Sequence, residues 1–194
     1  SEFPPGPGGI GTHAFQLAQH LSKAGVIVRV IANQDYASLD EIKLFNTKQP
    51  FAVISNSVRT NRIFKGIFRV NQLCTEIKHF DPDLVLATGT RSAWICSIVM
   101  RSIKKPWCAV GHGTEFGSRK GLNAFISRYA YNKAREIICV SEYTRKQVYG
   151  MGILNPILTV INNGADEECF YKLQSNEVAN IRRNIGTEGK FILL

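Results

Sequence analysis

The sequence lacks an apolar run long enough to cross a membrane. Its longest apolar stretch, residues 93–100, is far shorter than the about 20 residues that a spanning helix needs. Its five cysteines show neither CxxC pairs nor another metal-ligand spacing. Three of them, Cys96, Cys108 and Cys139, lie in apolar runs as buried thiols do, which favours a reducing compartment. We therefore expect a cytoplasmic protein without a metal site.

The sequence also lacks the motifs of several common catalysts. It contains no Ser–His–acid order, no HExxH sequence and no Walker sequence. If the protein is an enzyme, we therefore expect catalysis by positioning of the substrates and by electrostatic stabilisation of a phosphate-bearing leaving group. A length of 194 residues, with 44% hydrophobic and 20% charged residues, is typical of one well-packed globular domain.

Acidic residues are absent between Glu41 and Glu76, in a chain whose net charge is +9. A helix is predicted from residue 62, with basic side chains on one face and apolar side chains on another. The basic face contains Arg62, Lys65 and Arg69, and the apolar face contains Ile63, Phe64, Ile67 and Phe68. The basic face is either solvated above a packed apolar face or in contact with anionic lipid or an acidic ligand. Nucleic acid is not expected, because aromatic residues do not alternate with the basic ones.

Apolar, β-branched runs alternate with helical patterns along the chain. Strands are predicted at Val26–Ala32, Phe51–Ile54, Leu84–Thr88, Trp107–Val110, Ile137–Val140 and Leu158–Ile161. Helices are predicted at Gly11–Ala24, Arg62–His79, Ser92–Ile103, Leu122–Ala134, Glu142–Tyr149 and Asn176–Ile185. Continuous apolar strands that alternate with helices predict an α/β fold, with a parallel sheet covered by helices on both faces.

A glycine-rich loop, residues 6–11, leads directly into the first predicted helix. Glycines let the backbone approach a ligand closely, and free N–H groups at a helix N-terminus attract anions. The prolines at positions 4, 5 and 7 have no N–H, so usable donors begin at Gly8 and continue to Thr12. The loop therefore predicts a phosphate-binding cradle. The structural alternative is a turn that only caps the helix.

The same loop has the spacing Gly6-x-Gly8-x-x-Gly11, which is also typical of dinucleotide-binding enzymes. Two prolines directly before Gly6 argue against that assignment, because a central strand would have to run up to the first glycine. An acidic residue, Asp35, does follow the next predicted strand, as the dinucleotide pattern requires. An NAD(P)-dependent dehydrogenase therefore stays open as an alternative.

Ligands of open parallel sheets bind beyond the carboxyl ends of the strands. The loops expected at that edge carry glycine, hydroxyl, imidazole or carboxylate groups and are residues 8–13, 89–91, 111–115, 141–144 and 162–166. His112 is flanked by glycines and either binds a sugar hydroxyl or has a structural role. Glu115 either contacts a hydroxylated acceptor or lies in solvent, and Ser141 is a candidate helix cap.

Several segments, taken in order, resemble the N-terminal half of a GT-B glycosyltransferase of family four. They are Pro5-x-x-Gly8-Gly9-Ile10-Gly11-x-His13, Pro82-Asp83-Leu84-Val85, His112-Gly113-Thr114-Glu115, Ile138-Cys139-Val140-Ser141-Glu142-Tyr143-Thr144, and Val160-Ile161-Asn162-Asn163-Gly164-Ala165-Asp166. Together they extend over nearly the whole chain. The resemblance implies two Rossmann-like domains that face each other across a cleft, the first for the acceptor and the second for most of the nucleotide-sugar.

The resemblance also implies a reaction and a set of site residues. A sugar would be transferred with retention from a nucleotide-sugar to a glycan or lipid-linked acceptor, without metal or cofactor. Gly8, Gly9, Ile10 and Gly11 would contact the donor diphosphate, and His112 would be the catalytic residue at the donor sugar. The residues expected to line the acceptor site or the cleft are His13, Thr90, Glu115, Ser141, Asn163, Gly164 and Asp166.

The sequence departs from the family pattern because the second domain, with its Arg/Lys pair and paired glutamates, is not part of it. We expect residues 1–186 to form the acceptor-side domain without its first strand, and residues 187–194 to begin the donor-binding domain. This fragment alone is expected to be inactive. We also expect a peripheral contact with anionic membrane through Arg62, Lys65 and Arg69. Besides the dehydrogenase, a binding module at the membrane surface is therefore the second alternative function.

Overall fold

The structure, a computed structural model, describes residues 3–56, 61–117, 120–165 and 171–190, without the side chains of residues 62 and 63. The chain divides into two compact units, residues 1–162 and residues 163–194. Parallel strands alternate with helices throughout the described part of the first unit, as the sequence predicts. The second unit contains the last helix, α7 (Ser175–Asn184).

The elements of the first unit follow the predicted alternation closely. In chain order they are α1 (Gly9–Lys23), β1 (Arg29–Ala32), α2 (Leu39–Thr47), β2 (Ala52–Ser55), α3 (Arg62–Phe80), β3 (Val85–Thr88), α4 (Thr90–Ile103), β4 (Trp107–Gly111), α5 (Leu122–Tyr131), β5 (Glu136–Cys139), α6 (Glu142–Gly150) and β6 (Ile157–Val160). A short 3-10 turn at Thr114–Phe116 follows β4. Within the described residues, β1 pairs with β2, and a four-stranded sheet has the order β3-β4-β5-β6.

Strand β4 lies at the centre of the main core. All of its residues are buried, as expected for a parallel strand that has a neighbour on each side and helices over it. Its register places Leu86 of β3 opposite Cys108, and Ile138 of β5 opposite Val110. Helix α4 packs on this sheet through Ala93 and Val99, which are almost fully buried. The carboxyl ends of β3, β4, β5 and β6 therefore meet at one edge.

A second, smaller core lies beside β1 and β2. Phe3, Ala18, Ala32 and Phe51 are buried there, and Phe15 joins them. The ring of Phe15 lies 5.9 Å from that of Phe3 and 6.3 Å from that of Phe51, measured between ring centroids. This aromatic packing fixes α1 against the segment that precedes it and so positions the glycine loop.

Helix α2 was not among the predicted helices, although its start signal is in the sequence. The Ser38 hydroxyl accepts a hydrogen bond from the Glu41 N–H, and the Glu41 carboxylate accepts one from the Ser38 N–H at 2.8 Å. This reciprocal pair is a capping box, which satisfies two backbone donors at the helix start. The Glu41 carboxylate also accepts a hydrogen bond from the Ser38 hydroxyl at 2.7 Å. The hydrogen bonds from the Ser38 N–H and the Ser38 hydroxyl lower the pKa of the Glu41 carboxyl.

The predicted packing of α3 is wrong in its orientation. Phe64, Ile67 and Phe68 are 61%, 53% and 42% exposed, whereas the packed face consists of Val70, Leu73, Cys74 and Ile77. Lys65 is half-buried, and Arg69 donates a hydrogen bond to Asn33 Oδ1 at 2.7 Å and lies 4.0 Å from Asp35 Oδ2. Arg69 thus has polar partners in the segment after β1, and the side of α3 that carries Phe64 and Phe68 is exposed. None of the described helices is both long and apolar enough to cross a membrane.

Candidate functional site

The glycine loop starts helix α1 without a side-chain cap. Gly8 is the N-cap residue, with a φ of 143° that favours glycine, and no side chain bonds to the first-turn N–H groups. The Thr12 N–H donates to the Gly8 carbonyl at 3.0 Å. The expected row of donors is therefore shorter than predicted and runs from Gly8 to Gly11, the residues that precede the first helical hydrogen bond.

The side chain of Gln34 supports the segment that leads into the glycine loop, although no sequence pattern marks this residue. This side chain is only 1% exposed, and its Nε2 donates to the Pro4 carbonyl at 2.7 Å and to Asn46 Oδ1 at 2.8 Å. It thus connects Pro4, two residues before the glycine loop, to α2. A satisfied, buried amide at this position stabilises one loop conformation.

The glycine loop also adjoins the loop that follows β3. Gly89 is buried, has a φ of 88° and is the N-cap of α4, and a Cβ at this position would lie 3.8 Å from Ile10 Cγ2. Gly9 differs, because it lies within α1 and a Cβ there would meet nothing within 4 Å. The space beside Gly9 is therefore open to a ligand. Thr90, the first residue of α4, lies at the same edge of the sheet.

Two histidines meet beside this loop. The His13 and His112 rings lie 4.9 Å apart between centroids, in an edge-to-face arrangement with an interplanar angle of 84°. Nδ1 of His13 and Nε2 of His112 are buried and have no hydrogen-bond partner among the described residues. Burial lowers the pKa of both imidazoles, and for His13 the charge of His112 lowers it further. Both rings are therefore neutral near pH 7.

Glu115 fixes the backbone that carries His112. Each of its carboxylate oxygens accepts a hydrogen bond from the His112 N–H at 3.1 Å. The negative charge of Glu115 raises the pKa of His112, but burial has the larger effect and the net shift is downward. Glu115 is half-buried, so the alternative that its side chain simply lies in solvent is wrong.

Tyr131, at the end of α5, extends this cluster and was missed from the sequence. It is fully buried, and its ring lies 4.9 Å from that of Phe116 between centroids. Burial raises the pKa of the Tyr131 hydroxyl, and the negative charge of Glu115 adds to this shift. Contact with the Thr90 side chain lowers the pKa of this hydroxyl, but the other two effects are larger. No sequence signal distinguishes such a tyrosine from an ordinary core aromatic residue.

Ser141 caps helix α6, as its sequence position suggested. Its hydroxyl accepts a hydrogen bond from the Thr144 N–H at 3.1 Å and lies 3.1 Å from the Thr144 hydroxyl. Thr144 in turn packs on the His112 loop, because a Cβ at Gly113 would lie 3.3 Å from Thr144 Oγ1. A Cβ at Gly111 would lie 2.7 Å from the Phe116 ring. Glycine is therefore needed on both sides of His112 for the loop to close.

The remaining predicted residues belong to the second unit, to α3 or to the undescribed part of the chain. Asn163 and Gly164 are exposed and begin the second unit, and Asp166 lies outside the described residues. On α3, the side chain of Arg62 is likewise not described, and Arg69 is engaged with Asn33 and Asp35. The structure thus assembles the glycine loop, Thr90, His13, His112, Glu115 and Ser141 at the carboxyl edge of the strands.

This arrangement combines two chemical capacities. The free N–H groups and positive end of α1 favour an anion such as a phosphate. The neutral imidazoles provide one donor and one acceptor nitrogen each, which suits hydroxyl groups. A ligand with both a phosphate and hydroxyls, as in a sugar phosphate, fits these groups together.

Comparisons with known proteins found a family model and several similar structures. A family model described as Glycosyltransferase Family 4 matches residues 7–168. The fold is similar to that of Anabaena Alr3699/HepE, solved in complex with UDP, at 17% sequence identity and a TM-score of 0.69 over 95% of this chain and 48% of that chain. It is also similar to a glycosyltransferase from Rickettsia africae ESF-5, at 14% identity and a TM-score of 0.67 over 92% of this chain and 46% of that one.

The chain spans about half the length of these solved structures. No curated protein sequence matches it. At these identities the structural likeness shows the fold, which is the Rossmann-like half of a GT-B architecture. The family match favours the resemblance noted in the sequence over the dinucleotide-binding alternative.

Proposed function

The chain belongs to Glycosyltransferase Family 4, and we propose that the protein transfers a sugar from a nucleotide-sugar donor to a glycan or lipid-linked acceptor. Two structures of the similar Anabaena protein, in complex with UDP-glucose and with UDP and glucose, support a donor and an acceptor of this kind. We further propose a hexosyl group as the transferred sugar, retention at its anomeric carbon, and no need for a metal or cofactor.

The observation that carries this proposal is the position of the His13–His112 pair beside the uncapped start of α1. In the proposed complex, the N–H groups of Gly8, Gly9, Ile10 and Gly11 donate to the donor diphosphate. The open space beside Gly9 allows the phosphate oxygens to approach the backbone. As the bond to the sugar breaks, negative charge develops on the diphosphate, and donors already in place stabilise that charge.

His112 is proposed as the residue that contacts the donor sugar. Its buried Nε2 has no partner within the described part of the chain and is available to a sugar hydroxyl. Burial keeps the ring neutral, so it binds a hydroxyl without placing a positive charge beside the developing positive charge of the sugar. The bidentate contact of Glu115 with the His112 N–H keeps this loop in position.

The acceptor side is proposed to involve the other residues of the carboxyl edge. Thr90 and His13 flank the glycine loop, and Ser141 supports the His112 loop through Thr144. Asn163, Gly164 and Asp166 are proposed cleft residues on the basis of the sequence resemblance alone. Because the chain spans 48% of the similar Anabaena structure, we expect residues 1–194 alone to be inactive.

Because a lipid-linked acceptor would lie in a membrane, we also propose that the protein contacts an anionic membrane surface. The exposed Phe64, Ile67 and Phe68 on α3 support it, because large apolar side chains on one exposed helix face favour transfer to a lipid interface. Arg69 contributes less than the sequence suggested, since it is already bonded to Asn33. The proposed membrane face of α3 therefore consists of Phe64, Ile67 and Phe68, with Lys65 beside them.

Binding of UDP, GDP and ADP to the full-length protein, measured by calorimetry, tests the proposed cradle. Gly9→Val is expected to weaken the binding of the preferred nucleotide by about tenfold or more, because loss of one charge-assisted hydrogen bond costs about 1.5 kcal/mol. Gly66→Val is the matched control, since Gly66 also lies in a helix with no atom within 4 Å of an added Cβ. Equal nucleotide affinity in both variants would rule out the cradle.

A further inference from the structure

A second concave surface lies at the sheet edge opposite to the glycine loop. It has a volume of about 420 Å³ and lies where α4 ends, where β4 begins at Trp107 and where the chain enters β5. Met100 and Trp107 are almost fully buried and line it. Its basic side chains are Arg101, Lys104, Lys105, Lys133 and Arg135. We name this surface the basic groove.

The basic groove has far more positive than negative charge. Lys105 forms an ion pair with Asp81, at 2.8 Å between Nζ and Oδ1. The other four basic side chains have no ion pair within the described residues. Glu136, the nearest acidic residue along the chain, accepts a hydrogen bond from the Thr159 hydroxyl on β6. The groove is therefore not neutralised by carboxylates.

Helix ends reduce this charge but do not remove it. The carboxyl ends of α4 and α5 lie next to Lys104 and Lys133, and each contributes roughly −0.5 of a charge. With the Asp81 carboxylate, this leaves a surplus of about three positive charges at one concave surface. Positive side chains that line one groove repel each other, and a bound anion reduces that repulsion.

Neutral groups hold two of these cations in place. Arg101 Nη1 donates to the Tyr129 hydroxyl at 3.3 Å, and Lys133 Nζ lies 5.4 Å from the centroid of the same ring. Hydrogen bonding and cation–π contact position the two side chains and leave their charges unneutralised. The cations are thus partly ordered before any ligand arrives, which lowers the entropic cost of binding.

We propose that the basic groove binds the phosphate group of a second ligand, separate from the sugar donor. Phosphate oxygens are negatively charged hydrogen-bond acceptors, and Lys and Arg side chains are positively charged donors that pair with them strongly. The volume lies within the range of small-molecule sites and has room for a phosphomonoester, a diphosphate or a lipid phosphate headgroup. The groove lies at the amino ends of the strands, so its occupation leaves the glycine loop free.

The test uses the full-length protein with inorganic pyrophosphate and, separately, with phosphatidylglycerol vesicles. The groove variant is Lys104→Gln/Lys133→Gln/Arg135→Gln. The matched variant, Lys23→Gln/Lys43→Gln/Lys146→Gln, changes three exposed lysines elsewhere and has the same net charge. The NMR signal of the Trp107 indole N–H reports groove occupation, and that of Trp94, whose Nε1 donates to Ser127, is the internal reference.

We expect the groove variant to lose at least about tenfold in affinity for one of the two probes, with the matched variant within twofold of the parent. A Trp107 shift with pyrophosphate that only the groove variant loses identifies a soluble phosphate ligand. Loss of vesicle co-sedimentation in the groove variant alone identifies a lipid headgroup. If both variants behave alike with both probes, the groove is an ordinary solvated surface and the proposal is wrong, whatever the result for the glycine loop.

Discussion

At the residue scale, the site centres on His13 and His112, whose rings lie 4.9 Å apart between centroids and each of which has a buried nitrogen with no hydrogen-bond partner among the described residues. His112, Glu115 and the glycines were recognisable from their loops and neighbours in the chain. The contact between His13 and His112 was not, because the two residues are far apart in sequence and meet only in the folded chain, where the first turns of α1 lie beside the loop after β4. Tyr131 and Gln34 were missed for the same reason, since burial turns an ordinary side chain into part of a site.

The electrostatic coupling of the two histidines gives the first prediction. Replacement of His112 by Asn removes the positive charge that His112 acquires when it is protonated below pH 7 and that lowers the pKa of His13, while burial still lowers that pKa. The pKa of His13 should therefore rise but stay below its usual value of 6.5. Titration of the histidine side-chain signals by NMR measures this change. An unchanged pKa of His13 in the His112→Asn variant would show that the two rings do not interact.

The proposed role of His112 gives a prediction for catalysis. In the full-length enzyme, His112→Ala should lower kcat by about 10- to 100-fold, because a hydrogen bond to a charged transition state contributes roughly 1.5–3 kcal/mol. Nucleotide affinity should change little, since the proposed contact is with the sugar. His20→Ala, at an exposed position on α1, is the control. Equal turnover of both variants would assign His112 a structural role.

At the element scale, most of the fold was predictable from hydrophobic patterning. All six predicted strands are present in the described residues, with boundaries that differ by at most three residues. Strand β1 begins only at Arg29, because Val26 and Ile27 are exposed and precede the ladder with β2. Helix α2 was missed because its apolar face is short, although Ser38 and Glu41 mark its start. The orientation of α3 was predicted wrongly, because periodicity alone does not reveal that Arg69 has polar partners in the folded chain.

The capping box of α2 can be tested directly. Ser38→Ala removes the acceptor of the Glu41 N–H, and we expect the free energy of unfolding to fall by about 1 kcal/mol. Urea denaturation followed by circular dichroism measures the change. Ser102→Ala, at an exposed position within α4, should leave stability almost unchanged. A Ser38→Ala variant as stable as the parent would mean that the cap is frayed in solution.

The exposed face of α3 predicts lipid binding. Phe64→Ser/Ile67→Ser/Phe68→Ser should weaken binding of the full-length protein to anionic vesicles by about 100-fold or more, because burial of each of the three side chains contributes on the order of 1 kcal/mol or more. Co-sedimentation measures this loss. The matched variant Leu39→Ser/Leu44→Ser/Leu154→Ser changes three other exposed apolar residues. If both variants sediment like the parent, α3 does not contact the membrane.

At the scale of the whole molecule, the order of motifs along the chain was more informative than any single motif. The glycine loop alone also fitted a dehydrogenase, and the ordered set indicated the family that the comparison confirms. The predicted domain boundary between residues 186 and 187 stays a prediction. So do the donor, the acceptor and the roles of individual residues, because sequence and fold do not specify which sugar a cleft accepts.

The most direct test of the central claim is the release of nucleoside diphosphate by the full-length protein supplied with UDP-, GDP- or ADP-sugars and candidate glycan or lipid acceptors. We predict release with one class of donor, dependent on acceptor, insensitive to chelators and strongly reduced by His112→Ala. Failure of every donor, together with tight NAD(P) binding and hydride transfer to a small substrate, would contradict the account and identify a dehydrogenase instead.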